Sequence, residues 1–246
     1  MLPGQPCAPS EVSRTKVRPF TNTRPMLHEM AVDVKGNAVV WALNVGRKSY
    51  ELRAAQELLV KLVKEPFYTE LRTRQQTGYL VSSSGFQAAH QLFLQAAIQS
   101  NTHDPRDLLS RIELFTETFL RSLADDAATL QPRFDSIKAA LLARLRSPYD
   151  TAAGKLRFMQ HLAFDENEMD GDDDDDQPHF DAIERRRRAL EAYDLPTLRA
   201  RAVEMLGDGN NGHPRRVAVL ATGNGEENVK RAYVRVGLEE MKRREG

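Results

Sequence analysis

The sequence has one cysteine, Cys7, so no disulfide can form within the chain and its core must hold the fold unaided. That fits a reducing compartment, or an oxidising one without covalent staples. It has no net charge either: 35 Lys and Arg balance 35 Asp and Glu, which excludes an overall field that would gather nucleic acid or a membrane surface. No apolar run approaches the ~20 residues of a membrane span. The first residues lack a charged segment followed by an apolar one, so no secretory signal is expected. Together these features favour a soluble and, by a little, a cytoplasmic setting.

Catalytic motifs are missing as well. There are six histidines, and no two stand three or four positions apart, so neither H-E-x-x-H nor its inverted form H-x-x-E-H occurs. His28-Glu29 has no second histidine to complete a pair. Cys7 lies in a Pro-rich start without neighbours suited to a nucleophile or a zinc site. There is no G-x-S-x-G, no P-loop and no dinucleotide fingerprint. The glycines of 207–212 precede a strand pattern rather than a helix, and read as a turn. Five consecutive aspartates, Asp172 to Asp176, cap an acidic run that begins at Asp165. Their mutual repulsion marks a solvated loop, and the run fails the D-x-D-x-D-G pattern of a calcium loop. No metal or cofactor is therefore expected on this chain.

What is present is the pattern of an ordinary folded domain, 41% apolar and 28% charged. Residues 1–29 hold five of the 12 prolines and no periodicity, and read as a flexible lead-in. From Met30 alternation begins. After the turn signal Lys35-Gly36-Asn37, the run Ala38–Val45 is apolar and β-branched enough for a strand buried on both faces or nearly so. Ser49 is a helix cap, and Leu52, Ala55, Leu58, Leu59, Leu62 and Val63 form a helical stripe. Pro66 should bend or restart that helix. Leu80–Ser84 and His90–Ser100 make a hairpin through Gly85 and residues 87–89. Four amphipathic patterns follow, beginning near Asp104-Pro105, Leu130, Thr151 and Phe180, and a fifth at Asp194. Arg216–Thr222 is a last strand. Glu226–Gly246 is a charged tail of helical pattern. The expected fold is α+β: a two-layer domain over 30–223, with a mostly antiparallel sheet, helices packed on one face, and an acidic loop at 165–177.

The stretch between the first helix and the hairpin is distinctive. Leu71-Arg72-Thr73-Arg74-Gln75-Gln76-Thr77-Gly78-Tyr79-Leu80-Val81 resembles the L-R-T-K-E-Q-L-G-Y-x-V signature of the insulin-degrading-enzyme (insulinase, pitrilysin) family of zinc metallopeptidases. In that family the signature belongs to the fourth, C-terminal domain. Glu65-Pro66-Phe67 before it agrees, as do Arg144–Pro148 and Pro214–Val219 after it, so the likeness runs from about Met30 to Thr222. It implies a processing-peptidase-like fold. It also implies a non-catalytic half that closes the chamber and holds peptide for a zinc site on another domain or chain. By the same resemblance Arg72 and Tyr79 are the substrate-binding residues, zinc belongs to the missing catalytic domain, and the partners are a peptide substrate and the zinc-bearing N-terminal half. An Arg fork and a phenol are both donors, suited to a scissile carbonyl or the oxyanion it becomes. Some family members pair a metal-bearing with a metal-free chain, so an inactive homologue acting as a peptide-binding or partner subunit is the alternative. Two positions depart from the signature: Gln75 stands for Glu, and Thr77 for Leu.

Overall fold

A computed structural model describes residues 25–223, apart from 89, 126, 147–148, 150, 165–180 and 207–214. Residues 1–24, the acidic run, the 207–214 loop and the charged tail therefore lie outside the described residues. The first helix owes its start to Ser49, whose Oγ accepts from the Leu52 N–H at 3.1 Å. This helix, α1 (Tyr50–Tyr68), buries Ala55, Leu58, Leu59 and Leu62, the stripe its spacing predicts. The strands are β1 (Met26–Val32), β2 (Asn37–Arg47), β3 (Leu80–Ala88), β4 (Gln91–Ser100) and β5 (Arg216–Gly223). The later helices are α2 (Pro105–Asp125), α3 (Ala127–Arg146), α4 (Ala152–Phe164), α5 (Ala182–Ala192) and α6 (Leu195–Leu206).

The five strands form one sheet in the order β1-β5-β2-β4-β3. Its pairings are antiparallel except β1 with β5, which run parallel. This is the expected two-layer α+β domain with a mostly antiparallel sheet. Val39, Trp41 and Leu43 of β2 lie level with Ile98, Ala96 and Leu94 of β4, and all six are buried. They face the layer of α1 and α2, whose buried residues complete one core. Gln56 ties α1 to the hairpin: its Nε2 donates to the carbonyls of Phe86, at 3.2 Å, and of Phe93, at 2.7 Å. A buried amide that meets two carbonyls in this way fixes the helix's position along the strands as well as its distance from them.

Four details differ from the sequence reading. The first strand begins at Met26, within the expected lead-in, because its backbone pairs with β5 and Glu29 is held by Arg106 of α2 at 2.7 Å. That hydrogen bond raises the Arg106 guanidinium above its ordinary pKa. Second, β2 is covered on one face alone: Val40 is 38% exposed on the side away from the helices. Third, Pro66 neither breaks nor restarts its helix. It sits inside α1, and a π-helical turn, Thr69–Arg74, continues the chain. Leu62 before Pro66 and Phe67 and Leu71 after it are all buried, so core packing carries the helix through the one missing backbone bond. Fourth, β3 runs through Gly85 to Ala88, and the reversal is confined to the residues around His90, whose φ is 58°.

Leu58 is fully buried in α1 at the centre of the core. Leu58→Ala should cost about 2–5 kcal/mol. Urea denaturation followed by the fluorescence of Trp41, the one tryptophan and 4% exposed, measures it.

Candidate functional site

The signature residues occupy the reversal between α1 and β3. The π-helical turn ends at Arg74, and Gln75 follows with its N–H on the Glu70 carbonyl at 2.9 Å. Gln76 takes a positive φ of 52°, the left-handed step that ends helices and turns the chain out. Thr77 then closes the turn. Its N–H and its Oγ1 both donate to the Leu71 carbonyl, at 3.0 Å and 2.9 Å, and its side chain is fully buried. Gly78 follows against the neighbouring strand, where a Cβ would overlap the Gln99 carbonyl oxygen. Glycine is needed here for close approach rather than for an unusual φ.

Arg72 and Tyr79 flank this closure. Arg72 is half-buried, and its guanidinium donates to the Gly78 carbonyl at 2.6 Å. Tyr79 donates its N–H to the Gln99 carbonyl at 3.2 Å, and its side chain is 57% exposed. The backbone of the Tyr79 ring is therefore anchored while the phenol stands in solvent. Arg72 reaches the residue immediately before it. The two side chains predicted to act together are held by one turn, and both offer hydrogen-bond donors.

The departure at Gln75 has a physical account. Its Nε2 donates to a Glu70 carboxylate oxygen at 3.0 Å, and its Oε1 accepts from Arg111 of α2 at 2.8 Å. Arg111 is itself steadied by Asp107 at 2.9 Å. A neutral amide can satisfy an anion and a cation at once; a carboxylate at 75 would pair with Arg111 but oppose Glu70. Sequence reasoning did not find this network, or the π turn that carries it. The spacing of Asp107 and Arg111 announces a helical ion pair, but nothing in the sequence says that Arg111 reaches across to Gln75.

Among the described residues, no three His, Cys, Asp or Glu side chains come together as a metal site. Nor is any helix there long and apolar enough to cross a membrane.

Comparison with known proteins bears on the turn directly. Residues 58–159, which include the whole reversal, match the family described as PQQ synthase PqqF-like, C-terminal lobe domain 4. The fold is that of pitrilysin, with a TM-score of 0.65 at 21% identity over 87% of this chain. Over 58–159 the chain is thus similar to a C-terminal lobe domain, and its fold is the one these peptidases share. The same fold recurs in the periplasmic protease PqqL from Escherichia coli, at TM-score 0.58 and 14% identity over 90% of this chain. An inactive M16 peptidase domain from Pseudomonas fluorescens has it at 0.60 and 14% over 89%. This chain spans 21% of pitrilysin, 24% of PqqL and 47% of the Pseudomonas domain. No curated protein matches it significantly.

Thr77→Val keeps the shape of the buried side chain and leaves the backbone bond to Leu71, but removes the hydroxyl donor. We expect a loss of about 1 kcal/mol in urea denaturation, with faster amide exchange confined to the turn.

Proposed function

We propose that this domain is the non-catalytic, C-terminal half of an insulinase-type zinc metallopeptidase. It closes the chamber and holds the peptide backbone with Arg72 and Tyr79, while zinc and the general base come from another domain or chain. The observation that carries this reading is the reversal itself. One turn, closed at the Leu71 carbonyl, holds Arg72 beside the Gly78 carbonyl and sets the 57%-exposed phenol of Tyr79 on an anchored backbone. Donors fixed in advance where negative charge develops need no reorganisation during reaction, which is how they lower a barrier.

A second reading is an inactive homologue that binds peptide or another subunit. The bond from Arg72 to the Gly78 carbonyl favours it, since that nitrogen is engaged within its own turn. The two readings separate in one experiment. The chain is mixed with a zinc-bearing N-terminal half, and hydrolysis of a quenched fluorescent peptide is followed for the parent, Arg72→Ala and Tyr79→Phe. A loss on the order of 10²-fold in kcat for either variant is expected of a transition-state donor. Rates unchanged in both variants overturn the clamp, and peptide binding without any partner-dependent hydrolysis assigns the inactive role.

A further inference from the structure

Strand β3 is the outer strand of the sheet, and its far side faces a groove. Two adjoining cavities of about 670 Å³ and 520 Å³, which share Lys61, make up this groove. The first is lined by Val81, Ser82 and Ser83 of β3, and the second by Gly85, Phe86 and Gln87. Helix α1 borders both, and α3 supplies the facing wall from Arg133 to Leu145. Seven strand residues at ~3.3 Å each make it roughly 20 Å long. It begins two residues beyond Tyr79.

Three properties define what fits. An outer strand presents a row of backbone donors and acceptors without a neighbour, which another extended chain can pair. The walls carry six cationic side chains against two carboxylates, Glu57 and Glu65. Arg53 and Arg186 share Glu57, and Arg133 takes Glu65, so Lys61, Lys64 and Arg144 are left without a carboxylate among the described residues. Ser83 Oγ and both amide atoms of Gln87 are buried on the strand without a hydrogen-bond partner there.

We propose that this groove binds an extended acidic peptide, which adds a strand to the edge of β3 while its carboxylates meet Lys61, Lys64 and Arg144. A peptide backbone answers the strand edge, and alternate side chains carry acidic groups to one wall. The proposal does not require a scissile bond at Arg72 and Tyr79, so it is separable from the clamp: binding is read on this chain alone, and the clamp by hydrolysis with a zinc-bearing half.

The test is fluorescence anisotropy with a capped, fluorescein-labelled heptapeptide of alternating glutamate and valine, beside its lysine-valine counterpart and a single-stranded oligonucleotide. The acidic peptide should bind saturably, and its lysine counterpart should not. Lys61→Glu with Lys64→Glu should raise Kd about tenfold without changing the melting curve, since both side chains are exposed. In hydrogen exchange, the amides of Val81–Gln87 should gain protection when the peptide is added. Five results overturn the proposal, the last of them given by a variant of the acidic run. The first four are no saturable binding up to about 1 mM, a weak interaction by any standard; tighter binding of the oligonucleotide; indifference to the charge reversals; and binding without strand protection. A chain with Asp172–Asp176 changed to Asn that binds the peptide while the parent does not would assign the groove to the protein's own acidic run, and would equally overturn a partner peptide.

Discussion

The carbonyl of Leu71 accepts two hydrogen bonds, both from Thr77, and the arrangement of the domain follows from that closure. A helix that packs beneath a sheet must be joined to it by a reversal short enough to keep the two in contact. Here the reversal takes the few residues between Arg74 and Leu80. Because the helix end is spent on a π turn and a left-handed residue, the chain leaves α1 already directed along β3. Gly78 permits the approach to Gln99, and Gln56 fixes α1 against the far end of the same hairpin. The strand is thus held at both ends to one helix.

That arrangement explains why the two donors of the signature are seven positions apart and still belong to one locus. Arg72 is on the last turn of the helical segment, and Tyr79 is the first residue past the reversal. Their separation along the chain is the length of the turn. The cross-link from Gln75 to Arg111 of α2 adds a second helix to the support. The two residues proposed as the clamp are only as well placed as the elements behind them, and here a helix end, a strand start and a neighbouring helix converge.

Much of this was legible in the sequence. The α1 stripe and its Ser49 cap, the start of α2 at Pro105 and the alternation of β4 are local patterns, and they predict their elements because burial there follows the helix and strand periods. The roles proposed for Arg72 and Tyr79 rest on resemblance rather than on chemistry, since an arginine and a tyrosine at this spacing carry no signal alone. What could not be read depends on distant partners. The extent of β1 is set by β5, and the role of Gln75 by Arg111. Pro66 misled because a proline inside a helix usually breaks it, whereas here buried residues on both sides of it hold the helix through. The half-open face of β2 was missed because Ala and Val at exposed positions mimic a strand enclosed on both sides.

The position of β5 has a consequence for how the chain reaches this state. The last strand of the described domain lies between the first two in the sheet, parallel to β1 and antiparallel to β2. During synthesis β1 therefore waits without a neighbour until almost the whole domain has emerged, while the α1–hairpin unit, made of near-neighbours in sequence, can assemble early. Joining ends so far apart is an entropic cost that grows slowly with length, but it delays the event to the finish. The keystone of the sheet is thus its most recently made part, and any nascent chain cut short of Arg216 leaves two strand edges bare.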